Sequence, residues 1–394
     1  MQESKCGCGC GEILRAFKIT FDVKKIFLGF AGCAASLIWT VVLIALLRSM
    51  ELITIGPEVI LSNVFRSPHI GVPQLCKIFL STVKSLNPGN GVSIVLLILG
   101  LLIIWSLVGG AITRLAAIEY AKNESLKLSE AVKFASNKFW SYFWAPLAPA
   151  IGVIVFIFCN VLGGLIGQIK FVGEIFIGLG FPLALISSFL VIFIALVGLL
   201  GLGLMFPTIS AEGSDAFDAM SRAYSYTITK PKSLLYYCFT AVVSGGALVL
   251  FIALVACCVF STSFDTINIG MGQKFDAIRG VVRNLPAPQV AGKATGLAAL
   301  SAPTLKIAAV LIMFYIGLTN LIIAGIASSF LFSAKTIIYF LMRKEVDGTE
   351  LTDVYVEEKG EEQISTKAPE TEEKPKKSPE HPEEKLKESE GEHS

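Results

Sequence analysis

The amino-acid sequence predicts an all-α integral membrane protein with about six transmembrane helices arranged as three hairpins. Composition is the first observation behind this fold class. The chain of 394 residues is 54% hydrophobic and 16% charged, with a mean hydropathy of +0.68. Soluble proteins carry about 25% charged residues. A large water-soluble enzyme is therefore disfavoured.

Six long apolar segments are the second observation. They contain no Asp, Glu, Lys or Arg, and each reaches the roughly 20 residues that a helix needs to cross the hydrocarbon core. The segments are Ile26–Leu47, Leu86–Thr113, Pro146–Ile169, Ile175–Ala211, Ser233–Phe264 and Ile307–Ala334. Helices are expected because every backbone amide in lipid must be hydrogen bonded. No small-x-small cleavage site follows the first segment, so we interpret it as a retained anchor.

The fourth segment is longer than a bilayer requires. We expect its helix to start at Pro182, which leaves Ile175–Phe181 as a turn. A re-entrant segment over Gly163–Phe181 is the alternative.

Charge divides the chain into three parts, namely residues 1–25, the membrane domain 26–344 and a tail 345–394. The tail holds 17 acidic residues and 7 lysines, whereas residues 1–344 hold 26 Lys and Arg against 14 Asp and Glu. The N-terminal segment and the loops after the second and fourth segments carry 13 positive residues, and Lys335, Arg343 and Lys344 follow the sixth segment on the same side, against 10 in the loops opposite. The positive-inside rule then predicts cytoplasmic termini in a bacterial inner membrane.

The tail is rich in Glu, Lys, Pro and Ser and has almost no large apolar residues. Such a composition predicts disorder, because too little surface can be buried to offset the chain entropy. The tail is either a solvated extension or a segment that recruits a basic protein partner. The lipid bilayer is the expected partner of the membrane domain, and no nucleic-acid partner is expected.

A weak internal repeat follows the second and fourth segments. In each case a glutamate at the membrane exit precedes a short amphipathic stretch that opens with an acidic-Ala step. The repeat residues are Glu119, Glu130, Glu212, Asp215, Asp218 and Arg222. The two stretches predict interfacial helices on the cytoplasmic surface.

Two apolar faces support these interfacial helices. The first consists of Leu128, Ala131, Val132, Ala135, Phe139 and Phe143, and the second of Phe217, Met220, Tyr224 and Ile228. Ser129 is the expected N-cap of the first helix, and Ser214 or Asp215 that of the second. Residues Lys335 to Lys344 are interpreted as a shortened third copy.

The second block carries a family resemblance. Residues 212–226 read EGSDAFDAMSRAYSY, which resembles an EGxDAFDAxSRAYSY-type block of uncharacterised bacterial multi-pass membrane proteins. It is more distantly similar to the membrane domain that accompanies some glycerophosphodiester phosphodiesterases. The resemblance covers mainly residues 90–345 and implies a helical membrane domain. Because the soluble phosphodiesterase domain is not expected in this chain, no hydrolytic activity is implied.

The exit glutamates Glu119 and Glu212 admit two hypotheses. In the first hypothesis, the two glutamates are an acidic pair related by the repeat, and they line the opening of a central cavity. In the second, which we favour, the glutamates bind neighbouring interfacial helices or pair with Arg114 and Arg222. The charge-free spans argue against an ion or proton path.

Cys6, Cys8 and Cys10 alternate with glycine near the start of the chain. Three thiolates suit a soft metal, but zinc and iron–sulfur sites normally take four ligands with wider spacing. A disordered tether or an acylation site are the alternatives. We predict no metal and no cofactor.

Two further apolar stripes lie in the outer loops and predict short helices over the outer surface. One comprises Val72, Leu75, Phe79, Val83 and Leu86, and the other Phe275, Ile278, Val282 and Leu285. Capping of the bundle is favoured over binding of a partner.

Three function classes remain. The favoured class is a non-catalytic scaffold, membrane-organising protein or accessory subunit. The alternative is a transporter or channel for a neutral or lipid-like substrate. An intramembrane enzyme is disfavoured, because the sequence contains no nucleophile elbow or metalloprotease motif and only three histidines, His69, His381 and His393.

Overall fold

The fold is helical throughout the part of the chain described by the computed structural model, namely residues 11, 16–51, 61, 91–284 and 303–355. These residues contain no strand and form nine helices of ten or more residues. The helices are α1 Val23–Ser49, α2 Gly91–Lys122, α3 Leu128–Asn137, α4 Phe139–Ile166, α5 Val172–Glu212, α6 Ala216–Thr229, α7 Pro231–Met271, α8 Gln273–Asn284 and α9 Pro303–Asp347.

Six of these helices, α1, α2, α4, α5, α7 and α9, are long and apolar enough to cross a membrane. The protein is therefore a multi-pass integral membrane protein, as the composition predicts. The spans alternate in direction, and the start of α1 and the end of α9 lie at the same end of the bundle. A hydrogen bond from Ser329 Oγ, near the middle of α9, to the Thr20 carbonyl oxygen (3.0 Å) holds the residues just before α1 against α9.

Most of the buried side chains lie at this one end of the bundle, which we call the basal end. They come from residues 16–28, 111–145, 204–248 and 330–354. Alanine and glycine allow close approach of the helices, as where α1 crosses α9 with Gly29 against Gly325. The basal end therefore contains the main core of the protein.

The α4–α5 hairpin has a different surface. Beyond Pro149 on α4 and up to Leu202 on α5, most large apolar side chains are exposed, and the two helices pack chiefly against each other. Exposure of apolar side chains to hydrocarbon costs nothing, since lipid tails are as apolar as leucine. This hairpin is a lipid-facing element.

The expected start of the fourth helix at Pro182 is wrong. Helix α5 begins at Val172 and runs through Pro182, and α4 ends at Ile166, so the intervening turn is short. No re-entrant segment is present over Gly163–Phe181. Proline is tolerated inside membrane helices, because nearby groups and local adjustment satisfy the freed carbonyl.

The two predicted amphipathic helices exist as α3 and α6. Asp215 is the N-cap of α6, and its side chain accepts a hydrogen bond from the Asp218 N–H (2.9 Å). The N-cap assignment of Ser129 is wrong, since α3 begins one residue earlier and Lys127 precedes it without a side-chain cap. Phe139 and Phe143 of the first apolar face belong to α4.

The buried face of α6 also differs from the predicted one. Its buried residues are Ala219, Ala223, Tyr226 and Thr227, whereas Phe217 and Ile228 point outward. Small residues permit α6 to lie close to α5, as where Gly201 meets Ala223. The large apolar residues remain available to the membrane surface.

Residues 335–344 do not form a separate third interfacial helix, because α9 continues without a break to Asp347. The tail boundary at 345 is also too early. Residues 348–355 pack back onto the basal end, where the Tyr355 N–H donates to the Ala211 carbonyl (2.7 Å) and Val354 is buried. Residues 356–394 lie outside the described part of the chain.

The second outer stripe forms α8 and caps the outer end of α7 and α9. Phe275, Ile278 and Val282 are buried against Ala309 and Ile316 of α9. Capping is thus confirmed for α8. The first outer stripe and Leu285 lie outside the described residues.

Candidate functional site

The polar groups of the basal end are the candidate functional site, and Glu212 is at their centre. It is the last residue of α5, with a side chain only 11% exposed. Arg222 Nε of α6 lies 2.9 Å from its Oε2, and Arg343 Nε of α9 lies 3.2 Å from its Oε1. Neither Nε–H makes an aligned hydrogen bond, so both contacts are ion pairs set by charge proximity. Tyr339 donates a hydrogen bond to Oε1 (2.5 Å).

Asp347, at the end of α9, extends this group. It accepts a hydrogen bond from the Tyr226 hydroxyl and lies 3.9 Å from the Arg222 guanidinium. Burial raises the pKa of Tyr226 above its ordinary value, and the Asp347 carboxylate raises it further. The phenol therefore remains a donor at physiological pH.

We call Glu212, Arg222, Tyr226, Tyr339, Arg343 and Asp347 the basal cluster. It joins α5, α6 and α9 through groups of opposite charge. Burial is the largest single effect on the pKa of Arg222 and lowers it, but Glu212, Tyr226 and Asp218 together outweigh burial and the net shift is upward. The guanidinium is thus permanently charged.

The segment after α9 is held on the basal cluster. Arg343 donates to the Asp353 carboxylate and to its carbonyl oxygen, both at 2.8 Å. Gly213, with a φ of +65°, ends α5 in the left-handed conformation, and a Cβ there would lie 2.7 Å from the Tyr355 ring. Glycine at this position provides both the backbone conformation and the space for Tyr355.

Glu119, at the exit of α2, has a different partner from the one expected. It binds Lys25 of α1, whose side chain is 0% exposed and which also donates to the Ile19 carbonyl (2.9 Å). The predicted pairing of Glu119 with Arg114 is wrong. Arg114 instead donates to the Ser210 carbonyl of α5 (2.6 Å) and lies over the Phe134 ring (4.1 Å to its centroid).

Hydroxyl groups and aromatic rings fill the space between α2, α4, α5 and α9. Ser210 Oγ lies 2.6 Å from Thr113 Oγ and 2.7 Å from the Tyr142 hydroxyl. One turn deeper, ring contacts connect four helices in the order Trp105, Phe332, Phe206 and Tyr142, with centroids 5.5, 6.2 and 5.1 Å apart. Side chains of these four helices therefore occupy this position in the bundle.

The remaining predicted residues have smaller parts. Glu130 is in the first turn of α3, and Asp218 lies 3.5 Å from Arg222 within α6. Among the described residues, no group of three or more His, Cys, Asp or Glu is placed to hold a metal ion. Cys6, Cys8 and Cys10 lie outside the described residues. The metal hypothesis for them stays a prediction.

Comparisons with protein families, with curated proteins and with solved structures give no match to this chain. The basal geometry therefore has to be interpreted from its own chemistry.

Sequence reasoning missed the contribution of α9 to the basal cluster. Tyr339, Arg343 and Asp347 recur at intervals of four residues, which places them on one face of a helix. That spacing was visible in the sequence, and it predicts a polar face beyond the last span. The docking of residues 348–355 had no comparable signal.

Proposed function

We propose that this protein is a non-catalytic membrane component, namely a scaffold, a membrane-organising protein or an accessory subunit, whose C-terminal tail recruits a partner. The proposal rests on one observation. The basal cluster and Gly213 fix residues 348–355 against α5, so Tyr355, the last residue before the tail, has a defined position at the basal end.

The chemistry of the basal cluster supports this proposal over an enzyme. Its carboxylates are neutralised by arginines and tyrosines within the same cluster, and these contacts hold helices together. The side chains that fill the bundle at the depth of Phe206 and Phe332 support it over a channel.

We place both termini in the cytoplasm and the protein in a bacterial inner membrane, in line with the resemblance of residues 212–226 and with the positive-inside rule. Exposed aromatic side chains near the basal end, Trp140, Trp144 and Tyr236, suit the headgroup region there. We further propose that α2–α3 and α5–α6 are two copies of one unit, each a span followed by an interfacial helix.

The tail carries 13 acidic residues against 7 lysines from residue 356 onward, so a basic protein surface is the expected partner. The test compares three forms of the chain after gentle detergent purification. They are the full chain, a form ending at Tyr355, and a full-length form with glutamine in place of every glutamate after residue 356. A protein partner should copurify in stoichiometric amount only with the full chain of unchanged sequence.

Two results would contradict this role. The same partner on all three forms would move recruitment to the membrane domain and away from the tail. Absence of any partner, together with uptake of a neutral or lipid-like substrate into proteoliposomes, would establish the transporter alternative.

A further inference from the structure

Lys335 lies in a crevice on the lipid-facing side of α9. Helices α5 and α7 both pack against α9 but make almost no contact with each other. Lys335 faces the space between them, with its methylene groups 3.8 to 4.0 Å from the position that a Cβ would take at Gly203 of α5. On the α7 side, the Lys335 ammonium group interacts electrostatically with Cys238. The lysine is one helical turn on the membrane side of Tyr339.

The charge of Lys335 is not matched by protein groups in the described part of the chain. No carboxylate there lies within 4.0 Å of its ammonium group, whereas Lys25, Arg222 and Arg343 all have one. Its ammonium group lies over the Phe332 ring, with 5.3 Å from Nζ to the ring centroid. A cation–π contact of this kind compensates only part of the cost of keeping a cation near hydrocarbon.

Apolar side chains continue the crevice toward the middle of the membrane. One helical turn farther from the basal end, each of the three helices has an apolar residue, namely Leu199 of α5, Val242 of α7 and Leu331 of α9. They lie four residues from Gly203, Cys238 and Lys335, respectively. They are 71%, 71% and 48% exposed, respectively. Residues four apart share a helix face. The crevice thus offers the Lys335 ammonium group and, one turn farther from the basal end, three exposed apolar side chains.

We propose that this crevice binds an anionic phospholipid, with its phosphate on Lys335 Nζ and an acyl chain along Leu199, Val242 and Leu331. Charge complementarity determines the occupant, because the unmatched ammonium requires an anion and the adjoining apolar surface requires a hydrocarbon chain. The site goes beyond the proposed scaffold role and does not depend on it.

Native mass spectrometry of the full chain in neutral detergent tests this site, with phosphatidylglycerol and phosphatidylcholine titrated separately. The wild-type protein should bind its first phosphatidylglycerol more tightly than its first phosphatidylcholine. Lys335→Gln should lower the affinity for the first phosphatidylglycerol about fivefold, which corresponds to the contribution of one lysine near an anionic lipid surface. Lys344→Gln, an exposed lysine on the same helix, is the matched control and should leave it unchanged.

A second variant serves if Lys335→Gln does not fold. Leu199→Glu changes an exposed side chain and supplies a carboxylate one turn from the lysine, so it should also lower phosphatidylglycerol affinity without weakening phosphatidylcholine. Equal binding of the two lipids by the wild-type protein would overturn the proposal, as would unchanged phosphatidylglycerol affinity in either variant. Displacement of the lipid by millimolar inorganic phosphate would show a free-anion site and would overturn it as well.

Discussion

The two membrane exits after α2 and α5 look alike in sequence and differ in what they bind. Glu119 lies in the last turn of α2, and Glu212 is the last residue of α5. The residue after each helix is in the left-handed conformation, Asn123 with φ +54° and Gly213 with φ +65°. Each left-handed residue donates its N–H to a carbonyl four residues back. Yet Glu119 binds one buried lysine of α1, whereas Glu212 binds two arginines and a tyrosine from α6 and α9.

The difference comes from the neighbours of each exit. The start of α1 lies beside Glu119, and the end of α9 with its four-residue polar face lies beside Glu212. A local sequence block therefore predicts that a carboxylate lies at a helix end and does not predict its partner. Four substitutions test this difference between the two exits, and they are given from the largest expected effect to the smallest.

Glu212→Gln should have the largest effect. It removes the carboxylate that the Arg222 and Arg343 guanidinium groups share, at a position only 11% exposed, and breaking such a pair costs about 3 kcal/mol. Thermal unfolding in detergent should show a clear fall in melting temperature. Glu350→Gln, an exposed carboxylate in the same region, should melt like the wild type. An unchanged melting temperature for Glu212→Gln would remove Glu212 from its central role.

Glu119→Gln should cost less, about 2 kcal/mol, because the carboxylate is 29% exposed and has a single cationic partner. The loss should arise from the uncompensated charge of Lys25. Replacing both partners, as Lys25→Met with Glu119→Gln, should regain part of the stability, since an apolar pair carries no desolvation penalty. A double variant as unstable as the single one would show that the loss has another origin.

The sequence predicts the fold class well because membrane spans depend on local composition. Six charge-free runs are sufficient to place six helices, and α3, α6 and α8 follow from amphipathic spacing. Errors appear where the environment changes a local rule. Pro182 stops a helix in water by freeing a backbone carbonyl, whereas α5 continues through it in the bundle.

The basal contacts were only partly predictable for a different reason. The pairing of Arg222 with Glu212 involves residues ten apart, across one turn between α5 and α6, and it was expected. Lys25 and Glu119 are separated by 94 residues, and their contact depends on how α1 crosses α2. Tertiary packing determines such pairs, and no local pattern encodes it.

Gly213→Asn should have a smaller effect, about 1 kcal/mol. Asparagine tolerates the left-handed conformation, so the cost should come from its Cβ, which would lie 2.7 Å from the Tyr355 ring. Gly348→Asn is the control, because Gly348 has a φ of +69° and open space around it. Proteolysis near Tyr355 should become faster for Gly213→Asn alone. Equal behaviour of the two variants would mean that Tyr355 does not require the glycine.

Asn123→Gly should have the smallest effect, within about 0.5 kcal/mol of the wild type. Glycine removes the strain of the left-handed conformation but increases the entropy of the unfolded chain, and the two effects largely cancel. Asn123→Ala should be less stable by about 1 kcal/mol, because alanine is strained in the left-handed conformation and brings no compensating gain. Melting temperatures in the same detergent measure both. Because Asn123 is exposed, a loss above 1 kcal/mol for glycine would reveal a side-chain contact at the first exit comparable to that of Tyr355 at the second.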